Sequence, residues 1–215
     1  MKRTIACGLL ACAPLLPTLS HAAEAAERPF WRPFVSAGYT WGGRTITPVT
    51  LTPQGTTTNY KESISAGAGL ELSGGLVLHI PNTPFSVRGS IGHHVDGTSG
   101  LTGKASFWRT PVEVGLQWHP TERGTLGVGM RHAIRAKFAA DGGTCTDDNG
   151  NQSRCDVSVW MSGSHGWYVE GEWAVNPNWS LRVQAVHETF TVKPPMERDR
   201  YNGDHIGLSS ILYFR

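Results

Sequence analysis

Few residues of this chain are types that do chemistry at neutral pH, and their spacing narrows the choice. In the run Ala185-Val186-His187-Glu188-Thr189, His187 and Thr189 stand two apart, so an extended strand puts them on one face. An imidazole beside a hydroxyl is the arrangement in which a general base activates a nucleophile. Glu188 and Asp204 are the acids near enough in sequence to orient the imidazole. His93 and His94 are adjacent, so on a strand they point to opposite faces and do not share a metal; before Asp96 they read as a solvated strand end. The motifs G-x-S-x-G and H-E-x-x-H are absent. Asp147, Asp148 and Asn149 do not meet the spacing of a calcium loop. No metal or cofactor is expected.

The elements that must position these groups begin after a leader. Lys2 and Arg3, the apolar stretch Ile5 to Leu16 and the small-x-small site Ser20-His21-Ala22 read as a secretory signal cleaved after Ala22. The expected division is therefore 1–22 as signal and 23–215 as one domain. The signal carries two of the 19 basic residues and none of the 17 acids, so the mature chain is neutral and gives no reason to expect a nucleic-acid partner. Cys7 and Cys12 leave with the signal. Cys145 and Cys155 remain, in a polar stretch with no histidine nearby, and an exported chain would join them as a loop-closing disulfide.

Composition excludes two classes. With 26 Gly and 17% charged residues the chain is unlike a soluble helical domain, and no apolar run is long enough for a spanning helix. Instead apolar and small or polar residues alternate with period two from Pro33 onward. Ile64, Ala66, Ala68, Leu70 and Leu72 fall on one face while Ser63, Ser65, Gly67, Gly69 and Glu71 fall on the other. The same alternation predicts eight strands, at 33–42, 62–80, 84–96, 106–119, 125–138, 158–175, 179–193 and 205–215. Short connections (Pro81 to Pro84, His119 to Gly124, Asn176 to Asn178) alternate with long ones at 43–61, 97–105, 139–157 and 194–204. That pattern predicts an all-β, eight-stranded, antiparallel up-and-down transmembrane β-barrel, with tight turns and both termini on the periplasmic side.

The two faces are told apart by cost. Charge on a lipid-facing strand face costs roughly 2–4 kcal/mol at mid-bilayer. The face carrying Glu71, Arg88, Arg109, Glu113, Arg131, Arg135, Lys137, Glu170, Glu172, Arg182 and Glu188 must therefore point inward. In a lumen just wide enough for side chains these charges would pair and close it. Aromatic residues gather near strand ends, as interfacial residues do. Phe85, Trp118, Trp173, Trp179 and Phe214 are expected at the periplasmic girdle, and Tyr39, Trp41, Trp108, Phe138 and Trp167 at the outer one.

The last segment, with Ile206, Leu208, Leu212 and Phe214 on one face, resembles the C-terminal strand of bacterial outer-membrane barrels, although Arg215 follows the aromatic residue. In size and strand number the chain resembles the small barrels of the OmpX/Ail and OmpA-transmembrane type. The resemblance implies a monomer in the cell outer membrane, among outer-membrane lipid and lipopolysaccharide, assembled by the barrel-assembly machinery through that strand. It implies a structural or surface-interaction role for the outer loops. The alternatives are a narrow conduit for small or hydrophobic solutes, as in OmpW-like barrels, and a lipid A-modifying hydrolase. The His187/Thr189 pair faintly resembles the His-x-Ser motif of lipid A 3-O-deacylases, with Thr in place of Ser. A histidine at the headgroup level of a bilayer is the alternative role for His187.

Overall fold

The computed structural model describes residues 29–51, 60–100, 103–146, 152–163, 165–192 and 200–214, without the side chains of 47–51, 60–63, 98–100, 103, 142–146 and 152–157. Its strands are β1 (Trp31–Gly42), β2 (Thr45–Leu51), β3 (Tyr60–Ser65), β4 (Gly69–His79), β5 (Phe85–Gly100), β6 (Gly103–Trp118) and β7 (Gly124–Thr146). They continue with β8 (Gln152–Gly163), β9 (His165–Asn176), β10 (Trp179–His187), β11 (Thr189–Val192), β12 (Arg200–Asn202) and β13 (His205–Tyr213).

Eight of them close a ring. β1, β4, β5, β6, β7, β9, β10 and β13 pair in that order, every pair antiparallel, and β13 returns to β1. Closure leaves the ring without a free edge, the condition for strands to cross a bilayer. One end carries tight connections, and Asn82 takes the left-handed conformation (φ 60°) that an asparagine tolerates in a turn. The first described residues lie at the same end as the last strand's exit: the Phe214 amide donates to the Pro33 carbonyl at 2.9 Å, and that of His79 to the Phe30 carbonyl at 2.8 Å.

The other end departs from expectation. Much of the sequence read as long loops is sheet. β2 pairs with β3, and β5 and β6 run on until Gly100 faces Gly103. β7 and β8 remain paired until Thr146 faces Gln152. Runs such as Thr45-Ile46-Thr47-Pro48-Val49 are rich in β-branched residues that fit a pleated surface, so the ladder continues beyond the span.

A second departure sits at mid-strand. Pro111 faces Ala133 while Thr110 faces Arg135, so Ile134 is an extra residue in β7. Proline gives the ladder no N–H, and a bulge opposite it absorbs the loss. Before the bulge Arg131 and Ala133 point inward; after it Ala136 and Phe138 do. Arg135 and Lys137 therefore leave the lumen, where strict alternation had placed them. Phe138, expected at the outer girdle, is buried inside.

The outer surface of the ring is apolar and open. Leu72 (61% exposed), Ile91, Val114, Val128, Val183 and Leu208 stand in it among many others. An apolar area of this extent is far beyond what a soluble monomer exposes, so lipid is the solvent that suits it. The interior has two storeys. Within the span it is polar, apart from a small buried cluster of Phe34, Val77 and Ile211 beside Tyr213 toward the tight-turn end. Toward the long-strand end it becomes an apolar core of Ile64, Phe107, Ala136, Phe138, Met161 and Phe190, with the Phe107 and Phe190 rings edge to face at 5.3 Å.

Candidate functional site

The polar storey is built by residues whose strands are far apart around the ring. Arg88 on β5 reaches across to β9, bonding Glu170 at 3.0 Å and Glu172 at 2.6 Å, and to the Tyr213 hydroxyl of β13 at 2.6 Å. Tyr213 in turn donates to Glu172 at 2.7 Å, and Gln117 donates to Glu170 at 2.8 Å. These neutral donors serve two carboxylates that share one guanidinium. Arg131 on β7 binds Glu113, Glu71 at 2.8 Å and Glu188 at 3.5 Å. Arg182 on β10 links the two groups, 3.5 Å from Glu170 and 3.9 Å from Glu113. Arg109 on β6 lies 3.2 Å from Glu188 and donates to the Ala66 carbonyl.

All four arginines are at most 2% exposed. Such charges tolerate burial only when each is met by partners, and here the partners are cross-braces that tie the ring's opposite walls. Although Arg135 lies outside, the alternation places Arg88, Arg109, Arg131 and Arg182 and their glutamates at inward positions. It did not single out Gln117, Gln184, His205 and Tyr213, although they occupy the same inward positions of their strands. His94 corrects another expectation: it is buried, not solvated, and its Nε2 lies 3.0 Å from the Ala68 carbonyl.

Glu71, His94 and His205 offer ligand atoms within 4.8 Å of one another. The chemistry does not suit a cation. His94 Nδ1 accepts from Arg109 at 2.7 Å, and Arg131 holds Glu71, so a metal would enter between two guanidiniums. His205 donates through Nδ1 to the Gly203 carbonyl at 2.7 Å.

On the outside, His187 and Asp204 meet. Nδ1 lies 2.8 Å from Oδ1, with the two side chains 50% and 41% exposed, and Trp167 stands beside the imidazole at 5.6 Å between ring centroids. Asp204, in the break between β12 and β13, also accepts from the Glu188 amide at 3.0 Å and from Asn202 at 3.1 Å. Partial burial raises its pKa, but hydrogen bonds from His187, Asn202 and the backbone outweigh it and hold the carboxyl below its ordinary value. Glu188, the other acid considered beside His187, turns into the lumen toward Arg109. Thr189 begins β11, opposite Asn202. The pair orients an imidazole toward the outer rim, a geometry able to accept a proton from a hydroxyl brought to it.

Trp41, Trp118, Trp167, Trp173, Trp179 and Phe214 all project from the outer surface, and Trp108 is partly exposed there. Trp179 donates through Nε1 to the Ser210 hydroxyl at 2.7 Å, which settles its polar edge. The side chains of Cys145 and Cys155 lie outside the described residues, as do Asp147, Asp148 and Asn149 and the whole of 1–22.

The chain matches no protein-family model and no curated relative. Among solved structures it is similar to Ail, the attachment invasion locus protein of Yersinia pestis, with 16% identity over 85% of this chain and 98% of that one, at a TM-score of 0.44. It is also similar to a major outer membrane protein of Thermus thermophilus, with 13% identity over 86% and 99% of the two chains and a TM-score of 0.45. Neisserial surface protein A follows at 9% identity over 86% and 97%, with a TM-score of 0.44. At these scores the functional reading rests on this chain's own geometry.

Proposed function

We propose that the chain is a monomeric integral protein of the cell outer membrane whose closed body holds a β-structured platform outside the bilayer for surface interaction. One observation carries this reading: above an open vestibule at the tight-turn end the interior is closed at both storeys, by cross-braced charges within the span and by a packed apolar core above it. A barrel of eight strands has room for side chains and little else. The filled lumen leaves the outward extension as the part free to meet a partner, and binding groups concentrate where a rigid scaffold presents them. In this reading residues 1–22 are the export signal, the terminal strand addresses the barrel-assembly machinery, and Cys145 and Cys155 form a disulfide near the tip.

Planar-bilayer recording from purified, refolded protein tests it. The expected trace shows no resolvable steps; discrete unitary conductance would overturn the closed-body reading in favour of a conduit. Folded and boiled samples should migrate differently on a gel, and a chain that stays in the aqueous phase would overturn membrane insertion. The His187–Asp204 contact favours a second reading, hydrolysis of an outer-leaflet lipid. Mass spectrometry of lipid A with and without expression, and with His187→Ala, decides it: an unchanged lipid profile rules that reading out.

A further inference from the structure

The bulge at Ile134 has placed two cations where the apolar belt ends. Along β7 the outward residues are Leu126, Val128, Met130, His132 and Ile134, with the His132 ring beside that of His165 at 4.8 Å between centroids, and Arg135 is exposed immediately after Ile134. Lys137 is the next residue on that outer face. At about 3.3 Å per residue the two charges stand roughly 3 and 10 Å along the strand beyond the last belt residue. Among the described residues neither meets a carboxylate.

Lys137 is flanked on both sides by tryptophan in the same cross-strand row. It faces Trp108 of β6 and Trp160 of β8. The two indoles lean together edge to face at 5.7 Å, and the Lys137 ammonium lies 5.3 Å from the Trp160 ring. Arg135 faces Thr110, which adds a hydroxyl to the row below.

We infer that this face of β6, β7 and β8 binds the phosphorylated sugar headgroup of an outer-leaflet glycolipid. Cations just above a lipid-facing strand meet phosphate; indole faces suit the apolar side of a sugar ring; and Ile134 directly beneath, with Met130 and Val114 paired further down, suits acyl chains. An amphiphile with phosphate above its chains satisfies all three, whereas free phosphate satisfies the upper part alone. The inference rests on the outer-membrane reading and deepens it by naming the surface that holds such a lipid and the groups that hold it.

The test uses the full chain in phosphatidylcholine nanodiscs containing either diphosphoryl or dephosphorylated lipid A, with retained lipid counted by native mass spectrometry. Retention of the diphosphoryl form is expected. Arg135→Gln and Lys137→Gln should each weaken it about fivefold, and the double variant about 25-fold. Lys104→Gln, higher on β6, should change nothing. Because Arg135 and Lys137 lie outside the lumen, the double variant should keep the parent's heat-modifiable band. Equal retention of both lipids, full retention by the double variant, or displacement by millimolar inorganic phosphate would overturn the inference while leaving the barrel reading intact. A parent chain that does not enter the discs would overturn both.

Discussion

Replacing Arg131 with methionine should be the most damaging single change in the lumen. Its guanidinium is the shared partner of Glu71, Glu113 and Glu188, and all four side chains are almost fully buried. Methionine keeps much of the volume and removes the charge, leaving Glu71 without a guanidinium partner, Glu113 with only the more distant Arg182 and Glu188 with Arg109 alone. Breaking a buried pair by deleting one partner costs about 3–5 kcal/mol. At this chain length each kcal/mol moves the melting midpoint by roughly 2–4 °C, so a fall of about 10 °C is expected. The assay is the temperature at which the compact gel band converts to the extended one, checked by urea unfolding from phosphatidylcholine vesicles. Adding Glu71→Gln and Glu113→Gln should recover most of the loss, because the penalty comes from stranded charge. Arg135→Met, on the outer surface, should stay within about 0.5 kcal/mol of the parent. If Arg131→Met melted with the parent, or the triple variant were no better than the single, the cross-bracing account would be wrong.

Other consequences are equally direct. Tyr168→Phe should leave urea stability unchanged or slightly raised, since the buried hydroxyl has no hydrogen-bond partner; a loss above about 1 kcal/mol would contradict this. Gly129→Ala should destabilise by about 1–3 kcal/mol, because a Cβ there would meet the Val114 carbonyl at 2.5 Å and the Tyr168 ring at 2.6 Å. Asp204 has a depressed folded-state pKa, so its small contribution is fully present above the ordinary carboxylate value of 3.8 and is lost as pH falls through the depressed one. Asp204→Asn should flatten that acid limb of the stability profile, and a limb identical to the parent's would argue against the His187 contact.

Period-two alternation made the ring legible, because lipid outside and charge inside impose opposite chemistry on successive residues. It failed where β3 gives way to β4, since Ile64 and Ala66, read on one face with Leu70 and Leu72, are buried in the core, and it failed again where the ladder slips. Arg135, Lys137 and Phe138 were assigned by parity carried past position 134, and the cause of the slip is a proline on the neighbouring strand. Pro111 was visible within an otherwise regular run, but its effect falls on β7, which only strand pairing reveals. The β2–β3 and β7–β8 ladders, which fall within the stretches read as loops at 43–61 and 139–157, were hidden by Thr, Gly and Asp, residues as common in loops as in strands standing in water. The His187–Asp204 contact needed β10 and β13 to be neighbours. That adjacency follows from ring order, and Asp204 was flagged from nearness in sequence alone.

The apolar upper storey changes what the outward strands can do mechanically. From Ile134 to Thr146, β7 advances about 40 Å at 3.3 Å per residue, enough to carry its hairpin well clear of the lipid surface. Its lower part is packed around phenylalanines on the inside, so it behaves as a mast and not as a tether. A load applied at the tip is shared by the hoop of antiparallel hydrogen bonds below, and whatever docks there is held at a fixed standoff from the bilayer.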